Sequence, residues 1–287
     1  MQKNRSVIIW GDGAVGKGLA VALSGSFSVF LAGPHRSGRG STELTSSGAF
    51  SGKGTVEKIE SGDCIHCDYC VVALKAYDLK YAAKHAMAST DGRCICITNG
   101  MGLEEEWGES WNERVEPAVL TAGFHLLNRY AVEISEGDLI VSSGGSASDL
   151  FRESFLHVVP TFEMEIVRWS KWLVNSVINP LGALSGLRNN QLLKAGLGTA
   201  IDTLTAELAG VIPADMRDAA SVKAGEVMDF LLESQPNKCS MLQDILSGRR
   251  TEIDYMTGLY KRKLKDECPS AAIIFDLVSA RAYQPLK

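Results

Sequence analysis

Three polar residues recur at helical spacing in a stretch that is otherwise apolar. Lys171, Asn175 and Asn179 are four residues apart, which places them on one face of a helix. Large apolar residues occupy most other positions between 169 and 178, so this helix should be buried. A lysine there can protonate or stabilise an oxygen that gains negative charge. The alternative is an ordinary core helix whose lysine reaches water and whose amides bind neighbouring backbone.

A glycine-rich turn near the amino terminus has the spacing of a dinucleotide-binding loop. It follows an apolar run that ends at Trp10 and precedes a helical pattern. In such a strand–turn–helix, glycines allow a tight turn, close approach to a pyrophosphate and close packing of the helix. The free N–H groups and the dipole of the helix then favour the phosphates. The residues expected to bind the dinucleotide here are Gly11, Asp12, Gly13, Ala14, Val15 and Gly16.

The end of the second predicted strand favours NADPH/NADP as the cofactor. An NAD site normally has an acid there, about 20 residues beyond the glycine motif, which binds the ribose 2′-hydroxyl. The strand that ends at Ala32 is followed instead by Arg36 and Arg39. We expect Arg36 to bind the 2′-phosphate, with Arg39 as the second choice. The alternative is a basic surface loop.

Polar residues also follow two later strands, and two more stand out near the carboxyl terminus. Leu74 and Lys75 end one apolar run, and Asn99 follows the next. Open α/β sheets bind their ligands at the carboxyl ends of the strands, so these residues are site candidates. Ser240 and Glu252 have ordinary alternatives when taken singly, a helix N-cap and a surface ion-pair carboxylate.

Composition excludes several classes of protein. The chain of 287 residues has a net charge of -5 and a hydrophobic fraction of 45%, which argues for a globular protein and against nucleic acid as a partner. We expect no membrane interaction and no signal peptide, because no apolar run could span a bilayer and a strand pattern begins at once. An odd count of seven cysteines fits a reducing compartment, so the expected location is cytoplasmic. Cys64, Cys67 and Cys70 resemble half of a metal site, but no second cluster completes it, and no metal is expected.

The pattern of elements predicts an α/β fold class with two domains. Short apolar strands alternate with helices over residues 1–164, which we interpret as a Rossmann-type NADP-binding domain. Helical periodicity dominates residues 165–287, the predicted all-helical substrate and catalytic domain. The finer predictions are a hairpin or loop over 41–62, a helix over 149–158, a strand at 162–165, and helices over 192–210 and 215–233.

These stretches, in this order, resemble the ketopantoate reductase family along nearly the whole chain. The matching stretches are Gly11-x-Gly13-x-x-Gly16, Leu74-Lys75-Ala76, Asn99-Gly-Met-Gly102, the Lys171/Asn175/Asn179-Pro-Leu helix, Ser240-Met-Leu-Gln-Asp, and Arg250-Thr-Glu252-Ile-Asp-Tyr255. The resemblance implies a Rossmann-type NADPH domain, an all-helical domain, and a substrate cleft between them. It also implies NADPH-dependent reduction of ketopantoate to pantoate, a step in making pantothenate and coenzyme A.

Roles follow from the same resemblance. Lys171 matches the general acid and Glu252 the residue that binds the substrate hydroxyl. Asn175, Asn179 and Ser240 match substrate-contacting groups. Lys75 and Asn99 match residues that line the nicotinamide end of the site. Asn99 is expected to contact both the substrate and the cofactor.

Two other functions stay open at the level of sequence. One is a paralogue that reduces a different 2-keto acid or an imine with NADPH, since the segment around His125 is less like the biosynthetic enzymes. The other is a non-catalytic NADP-binding sensor, against which the joint presence of Lys171 and Glu252 argues. A homodimer formed by the helical domain is an open alternative, because no apolar stripe identifies its interface.

Overall fold

The computed structural model describes residues 5–33, 38–60, 62–264 and 267–283. It divides into two compact units. One comprises Met1–Thr98 and Leu103–Met164, and the other comprises Asn99–Gly102 and Glu165–Lys287. The short segment Asn99–Gly102 thus belongs with the carboxyl-terminal unit, although it follows a strand of the first.

Strands dominate the first unit. In chain order they are β1 (Ser6–Trp10), β2 (Ser28–Ala32), β3 (Gly40–Gly48), β4 (Gly52–Ile59), β5 (Tyr69–Val72), β6 (Cys94–Cys96), β7 (Val115–Pro117), β8 (Val119–Leu120), β9 (Phe124–Asn128), β10 (Ala131–Ile134), β11 (Asp138–Ser142) and β12 (His157–Thr161). In the described residues, nine strands form one sheet in the order β7-β6-β5-β1-β2-β4-β3-β10-β9, and the others form a small sheet, β12-β11-β8.

The first six strands of that order are parallel, and the chain changes direction at β1. From there β2 and β4 extend the sheet to one side, and β5, β6 and β7 to the other. This is the topological switch point where open α/β sheets bind ligands. Val7, Ile8 and Ile9 are fully buried, as expected for a central parallel strand that is covered on both faces. The helices of this unit are α1 (Ala14–Leu23), α2 (Leu79–Ala88), α3 (Glu104–Trp107), α4 (Trp111–Arg114) and α5 (Ser146–Phe151).

Helices form the second unit. They are α6 (Met164–Ser185), α7 (Gly198–Ala209), α8 (Arg217–Ser234), α9 (Ser240–Leu246), α10 (Tyr260–Lys263) and α11 (Pro269–Tyr283). Trp172, Leu173 and Val177 of α6 lie in the core of this unit with residues of α7 and α8. The predicted fold class, a Rossmann-type domain followed by an all-helical one, is confirmed.

Several boundaries differ from the sequence predictions. Of the two alternatives predicted for 41–62, the hairpin is confirmed and the loop is wrong. Strands β3 and β4 pair antiparallel and extend the main sheet, in which β4 also pairs with β2. The predicted helix over 149–158 is wrong beyond Phe151, where the Ser154 hydroxyl donates to the Phe151 carbonyl and ends the turn. Residues 157–161 instead pair with β11 as a parallel strand.

The predicted strand at 162–165 is also wrong, because α6 begins at Met164. In the second unit, the helix predicted over 192–210 starts only at Gly198. The reason is Gly196, whose φ of 82° is incompatible with a right-handed helix.

Helix α6 contains a proline, and a threonine from another segment compensates for it. Pro180 has no N–H, so the carbonyl of Ser176 lacks its normal helical donor. The hydroxyl of Thr257 donates to that carbonyl at 2.7 Å, and both residues are fully buried. The helix therefore continues through Pro180 to Ser185 without leaving this carbonyl unpaired.

Candidate active site

The glycine turn after β1 is shaped by contacts that no larger residue could make. Gly11 has a φ of 133°, and a Cβ there would collide with the carbonyl of Ala73 after β5. A Cβ at Gly16 would collide with the carbonyl of Gly11. The N–H of Gly11 donates to the carbonyl of Ala32 at 2.7 Å, which joins the turn to the end of β2. These contacts fix the turn against the carboxyl ends of three neighbouring strands.

The start of α1 is open where the turn meets the helix. Gly13 is the N-cap, no side chain caps the helix, and a Cβ built at Gly13 would meet nothing within 4 Å. No acidic residue lies in the first turn of α1. The free N–H groups and the open space next to Gly13 fit a bound pyrophosphate. Ala14 and Val15 form the first turn of this helix and are half-buried.

The other candidates for the dinucleotide site lie after β5 and after β2. Leu74 is buried after β5, and Lys75 is the half-buried N-cap of a short 3-10 helix, Ala76–Asp78. Arg36 lies outside the described residues. Arg39 forms ion pairs with Asp63 and, at 3.9 Å, with Glu60. These carboxylates raise the pKa of the Arg39 guanidinium and hold it on the surface of the first unit.

In the second unit, Lys171 meets two other predicted site residues. Its Nζ donates to Oδ1 of Asn99 at 2.8 Å. Burial lowers the pKa of Lys171 to about 8, while the negative charge of Glu252 acts in the opposite direction. Glu252 itself is only 3% exposed. The lysine is therefore oriented by an amide, stabilised by a buried carboxylate, and titrates close to neutral pH.

Asn99 reaches this group because the segment Asn99–Gly102 packs against residues that follow Glu252. The N–H of Met101 donates to the carbonyl of Tyr255 at 3.0 Å. Gly100 has a φ of 98°, and a Cβ there would lie 2.8 Å from both Cβ and the carbonyl oxygen of Tyr255. Glu252 precedes the 3-10 helix Ile253–Tyr255. The same local packing therefore positions Asn99 and Glu252 together.

Asn175, Asn179 and Ser240 lie around the next turns of α6 and the start of α9. The carbonyl of Asn179 accepts from Sγ of Cys239 at 3.3 Å, which places the start of α9 against α6. The amide nitrogen of Asn179 contacts the thioether sulfur of Met256 at 3.7 Å. Within the described residues, the half-buried side chains of Asn175 and Ser240 make no hydrogen bond. Both are available to a ligand.

Ser240 is not the N-cap of α9, which was its ordinary alternative role. Cys239 is the N-cap, and its sulfur accepts the N–H of Leu242 at 3.4 Å. The hydroxyl of Ser240 is therefore not needed to cap this helix.

Sequence reasoning missed one residue, Thr257, and one contact, between Asp12 and Gly33, that shape the site. Thr257 supports the helix that carries Lys171, and the signal was the proline four positions after Ser176. The carboxylate of Asp12 lies against Gly33, and no local pattern predicts that contact.

Among the residues that the structure describes, no group of three or more His, Cys, Asp or Glu could hold a metal ion. The helices of the same residues include none that is long and apolar enough to cross a membrane.

The fold and the glycine turn define a dinucleotide-binding protein of the Rossmann type with a second, all-helical unit. Residues 7–143 match the family model described as ketopantoate reductase PanE/ApbA. Residues 163–282 match the model of the carboxyl-terminal part of the same family. The chain belongs to the ketopantoate reductase family, whose members are oxidoreductases.

Individual relatives are distant in sequence but similar in fold. The 2-dehydropantoate 2-reductase of Archaeoglobus fulgidus is 28% identical over 68% of this chain and 69% of its own length. That of Yersinia pestis is 25% identical over 76% and 75%. A dimeric ketopantoate reductase from Staphylococcus aureus has a TM-score of 0.75 at 19% identity, covering 98% of this chain and all of that one. A D-mandelate dehydrogenase solved with NADH has a TM-score of 0.78 at 20% identity, with the same coverage.

Proposed function

We propose that this protein reduces ketopantoate to pantoate with hydride from a reduced nicotinamide dinucleotide. The observation that carries the proposal is the pairing of Lys171 with Asn99 and Glu252 in the second unit. The dinucleotide site lies in the first unit. There the N-terminus of α1 is open, and the turn before it contains glycines at positions where a side chain would collide with the backbone, which fits a bound pyrophosphate. The bound dinucleotide supplies the hydride.

The residues of the chain then handle the charge that forms on the substrate. Hydride addition to C2 of a 2-keto acid turns the carbonyl oxygen into an alkoxide. The ammonium of Lys171 stabilises that oxygen and transfers a proton to it. Asn99 accepts a hydrogen bond from the ammonium and keeps it in one orientation. A pKa of about 8 leaves Lys171 mostly protonated at pH 7, yet a better donor than an ordinary lysine.

The remaining candidates bind the rest of the substrate. Glu252 accepts a hydrogen bond from the terminal hydroxyl of ketopantoate, and this bond offsets the cost of burying the carboxylate charge. Asn175 and Ser240, without hydrogen bonds in the described residues, donate to the substrate carboxylate. Asn179 is a further donor if its amide turns from the weak sulfur acceptor of Met256. Lys75 and Leu74 follow β5 next to the glycine turn and line the dinucleotide site.

The sequence predicts NADPH as the hydride donor, and this prediction depends on the segment after β2. Arg39 is already paired with Asp63 and Glu60. The prediction therefore depends on Arg36, which lies outside the described residues. A homodimer also stays a prediction, supported by the dimeric enzyme from Staphylococcus aureus.

A second candidate is the reduction of another 2-keto acid by the same residues. The similarity to D-mandelate dehydrogenase favours it, since one such structure contains anilino(oxo)acetate, a 2-oxo acid derivative. Lys171 would again be the proton donor, and only the substrate group that contacts Glu252 would differ.

The test is dinucleotide oxidation by the purified protein with ketopantoate and a panel of 2-keto acids without a terminal hydroxyl. We expect ketopantoate to be the best substrate, and Lys171→Met to lower kcat by at least about 100-fold, the range for loss of a general acid. Lys261→Met is the matched control, because the ammonium of this half-exposed lysine contacts the Phe275 ring, at 3.4 Å from its centroid, and Asp276 at 4.0 Å, neither of which is a site candidate. Preference for a 2-keto acid without the hydroxyl would favour the second candidate. Dinucleotide binding without turnover of any acid would favour a sensor.

A further inference from the structure

Asp12 places a carboxylate at the end of β2, although the sequence has no acid there. The residue follows Gly11 in the turn after β1. Its side chain extends towards Gly33, the first residue after β2. A Cβ built at Gly33 would lie 2.9 Å from Oδ1 and 3.2 Å from Oδ2 of Asp12. The carboxylate therefore occupies the space that a side chain at position 33 would need.

This contact explains why position 33 is a glycine. Gly33 has no positive φ, so its backbone conformation does not require glycine. It is buried, and what a side chain would meet there is the Asp12 carboxylate. The hydrogen bond from the Gly11 N–H to the Ala32 carbonyl holds the two segments together at 2.7 Å. The aspartate and the glycine thus form one matched feature.

The position matters because the residue after β2 normally reads the adenosine ribose. An acid there accepts hydrogen bonds from the ribose hydroxyls, and an arginine there binds a 2′-phosphate. In this chain the carboxylate belongs to a residue of the glycine turn, Asp12, and not to a residue at the end of β2. It offers the same acceptor oxygens at the same edge of the sheet, and it would repel a phosphate placed there.

Among the described residues, no cation in this part of the first unit forms an ion pair with the Asp12 carboxylate. Nζ of Lys17 donates to the backbone carbonyl of Asp12, and the residue is only 6% exposed. Burial lowers the pKa of Lys17, and the charge of Asp12 acts in the opposite direction. Arg39 is paired with Asp63. Lys58 of β4 and Arg129 are further described cations, both close enough to Lys17 to lower its pKa. Lys58 lies in register with Leu31, one residue before the end of β2. It is therefore the rival partner that a 2′-phosphate would use.

We propose that Asp12 is the coenzyme-selecting residue, which binds the 2′-hydroxyl of the adenosine ribose and makes NADH the preferred dinucleotide. This revises the expectation of NADPH, which assumed that no acid reaches the end of β2. The inference rests on the proposed dinucleotide site, but it is independent of which keto acid is reduced.

The experiment is a calorimetric titration of the purified full chain with NADH and with NADPH, in the absence of a keto acid. We expect NADH to bind at least about tenfold more tightly than NADPH, and Asp12→Asn and Asp12→Ala to reduce that ratio by about tenfold or more. Asp91→Asn is the matched control, because this fully exposed acid precedes β6 at the opposite, amino-terminal edge of the parallel sheet. It should leave the ratio unchanged. Circular dichroism melts establish that each variant is folded.

Several results would overturn the inference. One is tighter binding of NADPH by the wild-type protein, with a loss of that preference in Lys58→Met identifying the lysine as the phosphate partner. Another is a preference for NADH that survives in both Asp12 variants. The wild-type ratio decides the direction even if the variants fail to fold. Failure to bind either dinucleotide would reject the proposed function as well, whereas tight NADPH binding with turnover would reject only the role of Asp12.

Discussion

The ammonium of Lys171 is subject to two opposing influences, and its titration is measurable. Burial lowers its pKa to about 8, and the charge of Glu252 limits the decrease. Reduction needs the protonated form, so kcat/KM should be constant below pH 8 and fall about tenfold per pH unit above it. Oxidation of the hydroxy acid needs the neutral amine and should show the opposite dependence. Initial rates between pH 6 and 10 in both directions measure this, and a reduction rate that rises above pH 8 would exclude Lys171 as the acid.

Glu252→Gln provides a sharper test of the same pair. The substitution removes the negative charge that raises the pKa of Lys171, so the pKa should fall and the decline in kcat/KM should begin at lower pH. Asp254→Asn is the control: this half-exposed acid lies in the 3-10 helix that follows Glu252 and pairs with Arg250 at 3.2 Å. We expect its pH profile to match that of the wild type. An unshifted profile in Glu252→Gln would show that the two charges do not interact.

At this scale the sequence predicts residue types better than contacts. The spacing of Lys171 and Asn175 identified a polar face, because helical period is a local property. The bond between Lys171 and Asn99 joins residues 72 positions apart, and no local pattern predicts it. The contact between Asp12 and Gly33 was not predicted at all, since it depends on how a turn packs against the end of another strand.

Helix α6 shows how one element depends on a distant residue. Thr257→Val leaves the buried Ser176 carbonyl without a donor, and we expect a loss of about 1–3 kcal/mol in the free energy of unfolding. Thr205→Val is the control, because the Thr205 hydroxyl binds the Ile201 carbonyl inside α7, a helix without proline. That carbonyl keeps its backbone donor, so the loss should be smaller. Urea unfolding of both variants measures the difference.

A double-mutant cycle isolates the cause. Pro180→Ala restores a backbone N–H that can reach the Ser176 carbonyl. In that background Thr257→Val should cost less than in the wild type, by about 1 kcal/mol. Equal costs in the two backgrounds would show that Thr257 acts through packing alone.

The elements also show where pattern reasoning fails. The central strands β1 and β2 were predicted closely, because continuous apolar runs between turn signals leave few alternatives. Residues 157–161 were placed partly in a helix, although they form β12. This short segment contains a proline and is stabilised by its pairing with β11, so tertiary contacts rather than local propensity decide its structure.

At the scale of the whole molecule, the dinucleotide turn and the proton donor lie in different compact units. Gly11–Gly16 belongs to the first unit, and Lys171, Asn99 and Glu252 belong to the second. Binding of the dinucleotide and transfer of the proton should therefore be separable by substitution. If one group of residues served both dinucleotide binding and proton transfer, a single substitution there would abolish both.

Two variants test that separation. Gly13→Ala adds a methyl group that meets no protein atom within 4 Å, so it should cost no more than about 1 kcal/mol of stability, as a change of N-cap. If a pyrophosphate occupies the open space, the methyl group displaces it, and dinucleotide affinity should fall by at least about tenfold. Gly25→Ala, also without neighbours within 4 Å and in the exposed turn after α1, is the matched control.

Lys171→Met should give the reverse result: unchanged dinucleotide affinity and loss of turnover. Calorimetric titration and steady-state rates on the same preparations measure both properties, and at equal concentration the dinucleotide should raise the melting temperature of Lys171→Met by more than that of Gly13→Ala. Wild-type affinity in Gly13→Ala would move the pyrophosphate away from the turn. Loss of dinucleotide binding in a folded Lys171→Met variant would mean that Lys171 is itself needed for dinucleotide affinity, and the separation of dinucleotide binding from proton transfer would have to be abandoned.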